Sequence, residues 1–194
     1  MRPRSIKFLI SSKNMFEFDS RMTLRGTVKD DWSVDVIKNE PMLFNCDLNA
    51  ANELGGPITH AILDALPDDW KTVPTIIDSR VHMLKKNWWP CIPGYHGGDV
   101  PRSRPDGQPN YHNPEYHSEH LMVLINGGIC PTEFALGKSS FPDIEPGEIY
   151  YKKWHPIVEQ KILDGELVSI KASSGKLIQF DWRTWHKETA AITD

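Results

Sequence analysis

The sequence predicts a mostly β fold of the α+β kind, and three observations predict it. Short runs rich in apolar, aromatic and β-branched residues recur along the chain, bounded by Gly, Pro, Asn and Asp, as strands are. Helical spacing is confined to two stretches. With 194 residues, 39% hydrophobic and 25% charged, the composition is that of an ordinary globular protein. That length suits one undivided domain, with outer strands and helices in residues 1–70 and the main sheet in residues 75–194.

Taken in order, residues 5–10 and 15–18 read as outer strands. Residues 31–37 alternate Trp32, Val34 and Val36 against Asp31, Ser33 and Asp35, which predicts a half-buried strand. From 49 to 66 the spacing of Ala50, Ala51, Leu54, Ile58, Ala61, Ile62 and Ala65 predicts a helix broken at Gly55-Gly56-Pro57. Pro57 then opens a second helix, where its missing N–H is harmless, and Pro67 ends it. His60 within it reads as a solvent-facing or core-edge residue. Residues 75–89 read as strand, and the Pro, Gly, Asn and Asp of 90–114 as a long loop of the functional or mobile kind. Residues 121–125 and 132–136 predict a paired hairpin, and 155–163 an amphipathic helix that starts near His155 because of Pro156. Residues 167–171 and 176–181, joined by Ser173-Ser174-Gly175, predict the clearest hairpin of the chain.

The net charge of -4 and pI near 6.1 argue against an extended nucleic-acid surface, which needs a basic excess. A small anionic ligand stays open, because a few local cations suffice for it. No apolar run approaches the ~18 residues of a membrane span, and the first ten residues lack the apolar region of a secretory signal. The expectation is a cytoplasmic protein without membrane contact. Cys46, Cys91 and Cys130 are odd in number and form no CxxC pair, so neither a disulfide framework nor a cysteine zinc site is predicted. Cys91 and Cys130, among apolar residues and proline, read as buried small hydrophobes.

Two segments carry the chemistry. One is Trp89-Pro90-Cys91-Ile92-Pro93-Gly94-Tyr95-His96-Gly97-Gly98-Asp99-Val100-Pro101-Arg102; the other is Gly175-Lys176-Leu177-Ile178-Gln179-Phe180-Asp181-Trp182-Arg183-Thr184-Trp185-His186. Together they resemble the two halves of the site in iron(II)- and 2-oxoglutarate-dependent oxygenases. That resemblance implies a double-stranded β-helix, or jelly-roll, cupin-like barrel with residues 75–194 as its core and a few flanking helices. It implies a metal held by His96, Asp99 and His186, since two neutral imidazoles and a carboxylate fill one face of iron(II) and leave the others for cosubstrate and dioxygen. The implied cofactors are Fe(II) and 2-oxoglutarate, and the implied activity is oxygenation of a small molecule or a modified base.

The chain departs from that pattern twice. The family's acid follows the first histidine by two residues, on the same strand face; here Gly98 stands there and Asp99 comes one later. The family also carries a cation on the strand after the distal histidine. Arg183 and Lys187 are the nearby cations. These departures support an alternative, a non-enzymatic binder without cofactor that sequesters a small anionic ligand such as a nucleotide.

A third constellation is Tyr111-His112-Asn113-Pro114-Glu115-Tyr116-His117-Ser118-Glu119-His120. His112, His117 and His120 could serve one ion, giving a metal hydrolase as a third reading, or line the barrel mouth for a planar ligand. Tyr95, Arg102, Arg104, Tyr111, Trp89 and Trp185 join the candidate pocket, with Lys85 and Lys86 near the same loop. Trp88, Trp89, Trp182 and Trp185 cluster at the two motif segments, as pocket floor or as core. Self-association is left open.

Overall fold

The structure, a computed structural model, describes residues 15–91, 93–113, 115–145 and 147–193. The strand expected at residues 5–10 lies outside them. Among the described residues seven antiparallel strands form two sheets, accompanied by five helices. No helix among them is long and apolar enough to cross a membrane.

The first sheet is organised by β4 (Thr132–Pro142). Its C-terminal half pairs with β1 (Met15–Ser20), from Met15 opposite Pro142 to Ser20 opposite Gly137. Its N-terminal half pairs with β5 (Val168–Lys171) on one edge and β7 (Trp185–Glu188) on the other. Ser20 joins the two halves: its buried hydroxyl donates to the Ala135 carbonyl at 2.5 Å and accepts the Trp185 N–H at 3.0 Å. The second sheet runs β2 (Met22–Thr27), β6 (Lys176–Asp181), β3 (Glu119–Met122), with β6 central. No strand of one sheet pairs with a strand of the other among the described residues, so the sheets do not close into a barrel.

Side-chain alternation along each strand divides the interior in two. Phe134, Ala172, Ile178 and Phe180 pack between the sheets, flanked by Met22, Met122, Leu124 and Leu136. The opposite face of the first sheet carries a larger aromatic cluster, including Phe18, Phe141, Tyr111 and Trp185, under helix α5 (Tyr150–Leu163). That helix begins five residues before the expected start and contains Pro156. Tyr150, Trp154 and Val158, four apart, are all buried against the sheet. At about 1.5–3 kcal/mol each, their burial exceeds the ~3 kcal/mol an interior proline costs.

The broken helix is borne out as α2 (Leu48–Leu54) and α3 (Pro57–Asp64), with Asp47 capping the first and Pro57 in the first turn of the second. The cap of α3 comes from a distance. The buried Glu40 carboxylate accepts the N–H groups of Gly56, Ile58 and Thr59 and the Thr59 hydroxyl, at 2.6–3.1 Å. His60 bonds the Asn52 carbonyl at the surface. A short helix α4 (Asp68–Lys71) follows, tied to the second sheet where Arg25 meets Asp69 and Gln179.

Four expectations are corrected. Residues 31–37 are not a strand: Val34–Asn39 form a helix, α1, because the Ser33 hydroxyl accepts the Val36 N–H and caps it, with Asp35 in the first turn and Lys38 in the last. Residues 75–89 form no strand beyond the bridge of Ile77 to Cys46. The two expected hairpins are also absent. β3 pairs with β6 and β4 with the first sheet, while β5 and β6 belong to different sheets. Both connections therefore step across the gap between the sheets, pinned by Ala172 N–H to Thr132 O and Gly175 N–H to Leu124 O, each 2.8 Å. Cys91 is exposed and Cys46 and Cys130 are partly exposed, so the thiols are not core residues.

Candidate functional site

The two motif segments meet. His96 forms an isolated antiparallel bridge with His186, its N–H and C=O bonding those of His186 at 3.0 and 3.1 Å. Directly opposed residues share a sheet face, and the imidazole centroids are 4.6 Å apart.

Each arm is set locally. Gly94, at φ +110°, makes a turn that other residues resist; a β-carbon there would stand 3.1 Å from Cγ of His155. Nδ1 of His155 accepts the Tyr95 N–H at 3.1 Å and so pins the turn to α5. On the other arm Asp181 accepts the Arg183 N–H and the Thr184 hydroxyl, both at 2.9 Å, closing the turn before β7.

Both histidines are oriented the same way. Nδ1 of His96 lies 2.9 Å from the Gly94 carbonyl and Nδ1 of His186 lies 2.9 Å from that of Thr184. A carbonyl only accepts, so each Nδ1 carries a proton, and in the neutral ring the lone pair then lies on Nε2. Burial, then the neighbouring His96, pushes the His186 pKa down to about 3, against the pull of the Thr184 carbonyl. His186 is therefore a neutral imidazole at pH 7.

The expected third ligand does not join them. Asp99 sits at φ +48° with a side chain 80% exposed, and its carboxylate lies 3.7 Å from Nδ1 of His120. Among the described residues no three His, Cys, Asp or Glu side chains are arranged to hold a metal ion. The residues fit two positions of an iron site and not the carboxylate. The expected cosubstrate cations are engaged: Lys187 lies over the Tyr95 ring and pairs with Glu133 and Glu159, while Arg183 stacks on Trp182.

A cavity of about 360 Å³ adjoins the pair. Its lining includes His96, Gly97, Arg102, Gln108, Tyr111, Tyr150, Tyr151, Trp154 and Trp185. Burial pushes the Tyr111 and Tyr150 phenols well above their ordinary range, keeping them protonated. The indole N–H of Trp185 is buried with no acceptor among the described residues, a group that costs about 1–3 kcal/mol when unmet. Arg102 reaches only the Gly107 carbonyl, at 3.5 Å, and enters no ion pair among the described residues.

Of the remaining sequence candidates, several lie elsewhere. Tyr95 is fully buried, its hydroxyl donating to Glu133. Arg104 is held by Asp106, Asp143 and the Tyr150 hydroxyl, so it fastens the loop over α5. His112 bonds Asp143 at 2.9 Å and packs on Phe16, and His117 bonds Glu119 at 3.1 Å. The three histidines of the loop thus go to different partners, which leaves the hydrolase reading without a shared centre. Trp88 and Trp89 are exposed, and Lys85 lies over the Trp88 ring. Sequence reasoning missed Gln108, Tyr150, Tyr151, Trp154 and the positioning His155. The four-residue spacing of Tyr150 and Trp154 was the available signal; His155 and Gln108 offered none.

No family model matches the chain, and no curated protein or solved structure matches it.

Proposed function

We propose that this is an oxygenase-like jelly-roll protein that takes a small, planar, anionic molecule into the cavity beside His96. The observation that carries the reading is the double membership of His96, at once a wall residue of the aromatic cavity and half of the His96–His186 pair. The volume falls within the range of small-ligand sites. The rings of Tyr111, Tyr150, Trp154 and Trp185 suit a planar group, Arg102 suits a carboxylate or phosphate, and the Trp185 N–H calls for an acceptor. Two facing antiparallel sheets with a shared apolar interior are the frame a jelly-roll supplies.

A thermal-shift series with nucleotides and 2-oxoglutarate, alongside mass spectrometry of ligand released from purified protein, tests it. Ligand at 100 times its Kd stabilises the native state by about 2.7 kcal/mol, and Arg102→Ala is expected to remove that shift. No shift with any planar anion, and no released ligand, overturns the proposal.

A second reading is a binder that has kept the pocket without a metal. It is favoured by Asp99 facing His120 and by the engagement of Lys187 with Glu133 and Glu159. Stoichiometric iron after anaerobic reconstitution, with succinate released from 2-oxoglutarate, supports the oxygenase form. A ligand shift unchanged by chelator, with neither iron nor succinate, supports the binder.

A further inference from the structure

The first sheet ends differently at its two sides. Beyond β7 it continues, because the main chain of His96 takes up the outward N–H and C=O of His186. Beyond β5 no strand follows among the described residues, and β5 closes the order of its sheet. Ala172 N–H bonds the carbonyl of Thr132, the residue opposite it when the register is carried one step on. Bonded pairs alternate with unbonded ones in an antiparallel ladder, so Ile170 and Val168 turn their main-chain groups toward β4. Those of Ser169 and Lys171 therefore point out from the free edge.

The side chains of β5 alternate too. Val168 and Ile170 stand opposite Leu136 and Phe134, on the face turned toward the second sheet, yet they are 59% and 37% exposed. The second sheet leaves them uncovered. A strand with an open ladder and an uncovered apolar face is a template for pairing unless something blunts it. Two other outer strands are blunted: β1 carries Glu17 and Asp19, and β2 carries Arg25 within a bulge between Leu24 and Gly26. From Leu167 to Ile170 the edge has no charge and no proline.

We infer that β5 is the docking edge for β5 of a second copy of this chain, paired antiparallel about a two-fold axis at Ser169. The choice of occupant rests on self-complementarity. In that register the N–H and C=O of Ser169 meet those of Ser169 in the second copy, Val168 stands against Ile170, and Lys171 against Leu167. Asp164 and Glu166 precede the strand and Lys171 ends it. Antiparallel pairing thus brings the acidic end of one copy beside the cation of the other, whereas parallel pairing would set like charges side by side. An isologous contact of this kind closes on itself, as a dimer and not a fibre. The His96–His186 bridge lies on the opposite edge of the sheet and takes no part.

Sedimentation equilibrium of the full chain tests this. The mass is expected to rise from one chain to two between about 1 and about 500 μM, the range in which a small interface dissociates. Hydrogen exchange at the Ser169 amide is expected to slow in step. Val168→Lys sets a charge on the apolar face of the edge and is expected to weaken association more than tenfold, with the Tm of the dilute chain unchanged. Ser169→Cys reports the register. Mild oxidation with glutathione disulfide is expected to join two chains through position 169, located by peptide mass spectrometry, because residues paired at the axis lie within disulfide reach. A chain that stays monomeric throughout overturns the inference, whether or not its Ser169 amide is protected. So does a dimer that survives Val168→Lys or that fails to join at position 169.

Discussion

Two neighbouring residues of β7 face two unlike interiors. Trp185 enters a crowd of rings, with Phe141, Phe18 and Trp154 at centroid distances of 4.6, 4.9 and 5.5 Å and every one of them buried. His186 enters the space between the sheets, where its neighbours are Phe134, Phe180 and His96. One side of the strand holds the molecule together by packing. The other buries polar rings whose burial contributes little to stability and whose lone pairs remain available for chemistry.

The largest expected effect tests that division. Phe141→Ala, on the crowded side, is expected to cost about 3–5 kcal/mol in urea unfolding, because Phe141 is fully buried among three aromatic partners and the Lys161 ammonium. His186→Phe, similar in volume, is expected to cost far less at pH 7. Equal losses from the two would break the comparison.

Acid sharpens it. The folded chain keeps His186 neutral down to about pH 3, while the unfolded chain protonates it below its ordinary value of 6.5. The unfolded state therefore binds the extra proton first, and stability present above pH 6.5 is lost as pH falls toward 3. The limiting slope is about 1.4 kcal/mol per pH unit for one proton, which integrates to about 2.5 kcal/mol between pH 6 and pH 4. His120 and His155, whose pKa values burial also lowers, act in the same direction. His186→Phe is expected to flatten the profile by one proton, measured as unfolding free energy against pH. An unchanged slope would place the acid sensitivity elsewhere.

Tyr95→Phe is a smaller probe of how the first motif is anchored. It removes the hydroxyl that donates to Glu133 but leaves Glu133 its 3.7 Å contact with Lys187. The expected cost is about 1 kcal/mol, that of one hydrogen bond. A loss of ligand affinity in this variant would show that the Tyr95 turn shapes the cavity.

Particular residues explain how much was legible beforehand. The short apolar runs and the Gly-Gly-Pro break of the helix are local signals, and β1, β4, β5, β6, α2 and α3 follow them. The meeting of His96 and His186 was legible through paired motifs. What failed was non-local. Ser173-Ser174-Gly175 and Gly127-Gly128 are turn sequences, yet nothing local distinguishes a turn that folds a strand onto its neighbour from one that crosses to a facing sheet. Pro156 reads as a helix breaker until the burial of Tyr150, Trp154 and Val158 is counted. Likewise Ser33 outweighed an alternating pattern over seven residues, and the ring that fills the space at Gly98 comes from a strand 22 positions away in sequence, His120, which no spacing rule connects to it.

The smallest expected effect is the most discriminating for the cavity. In Trp185→Phe the lost apolar contacts with Phe18, Phe141 and Trp154 destabilise the chain, while removal of an indole N–H that is buried without an acceptor among the described residues returns about 1–3 kcal/mol. The two terms oppose each other, so the net change in unfolding free energy is expected to stay below about 1 kcal/mol. A ligand that supplies the missing acceptor reverses the balance, because its affinity then falls in the variant even though the stability of the free protein does not. Urea unfolding of the free chain and thermal shifts with the ligand separate the two contributions. A loss of several kcal/mol in the free chain would mean that the N–H already has a partner, and the cavity would then lose its strongest claim to a ligand with an acceptor at that point.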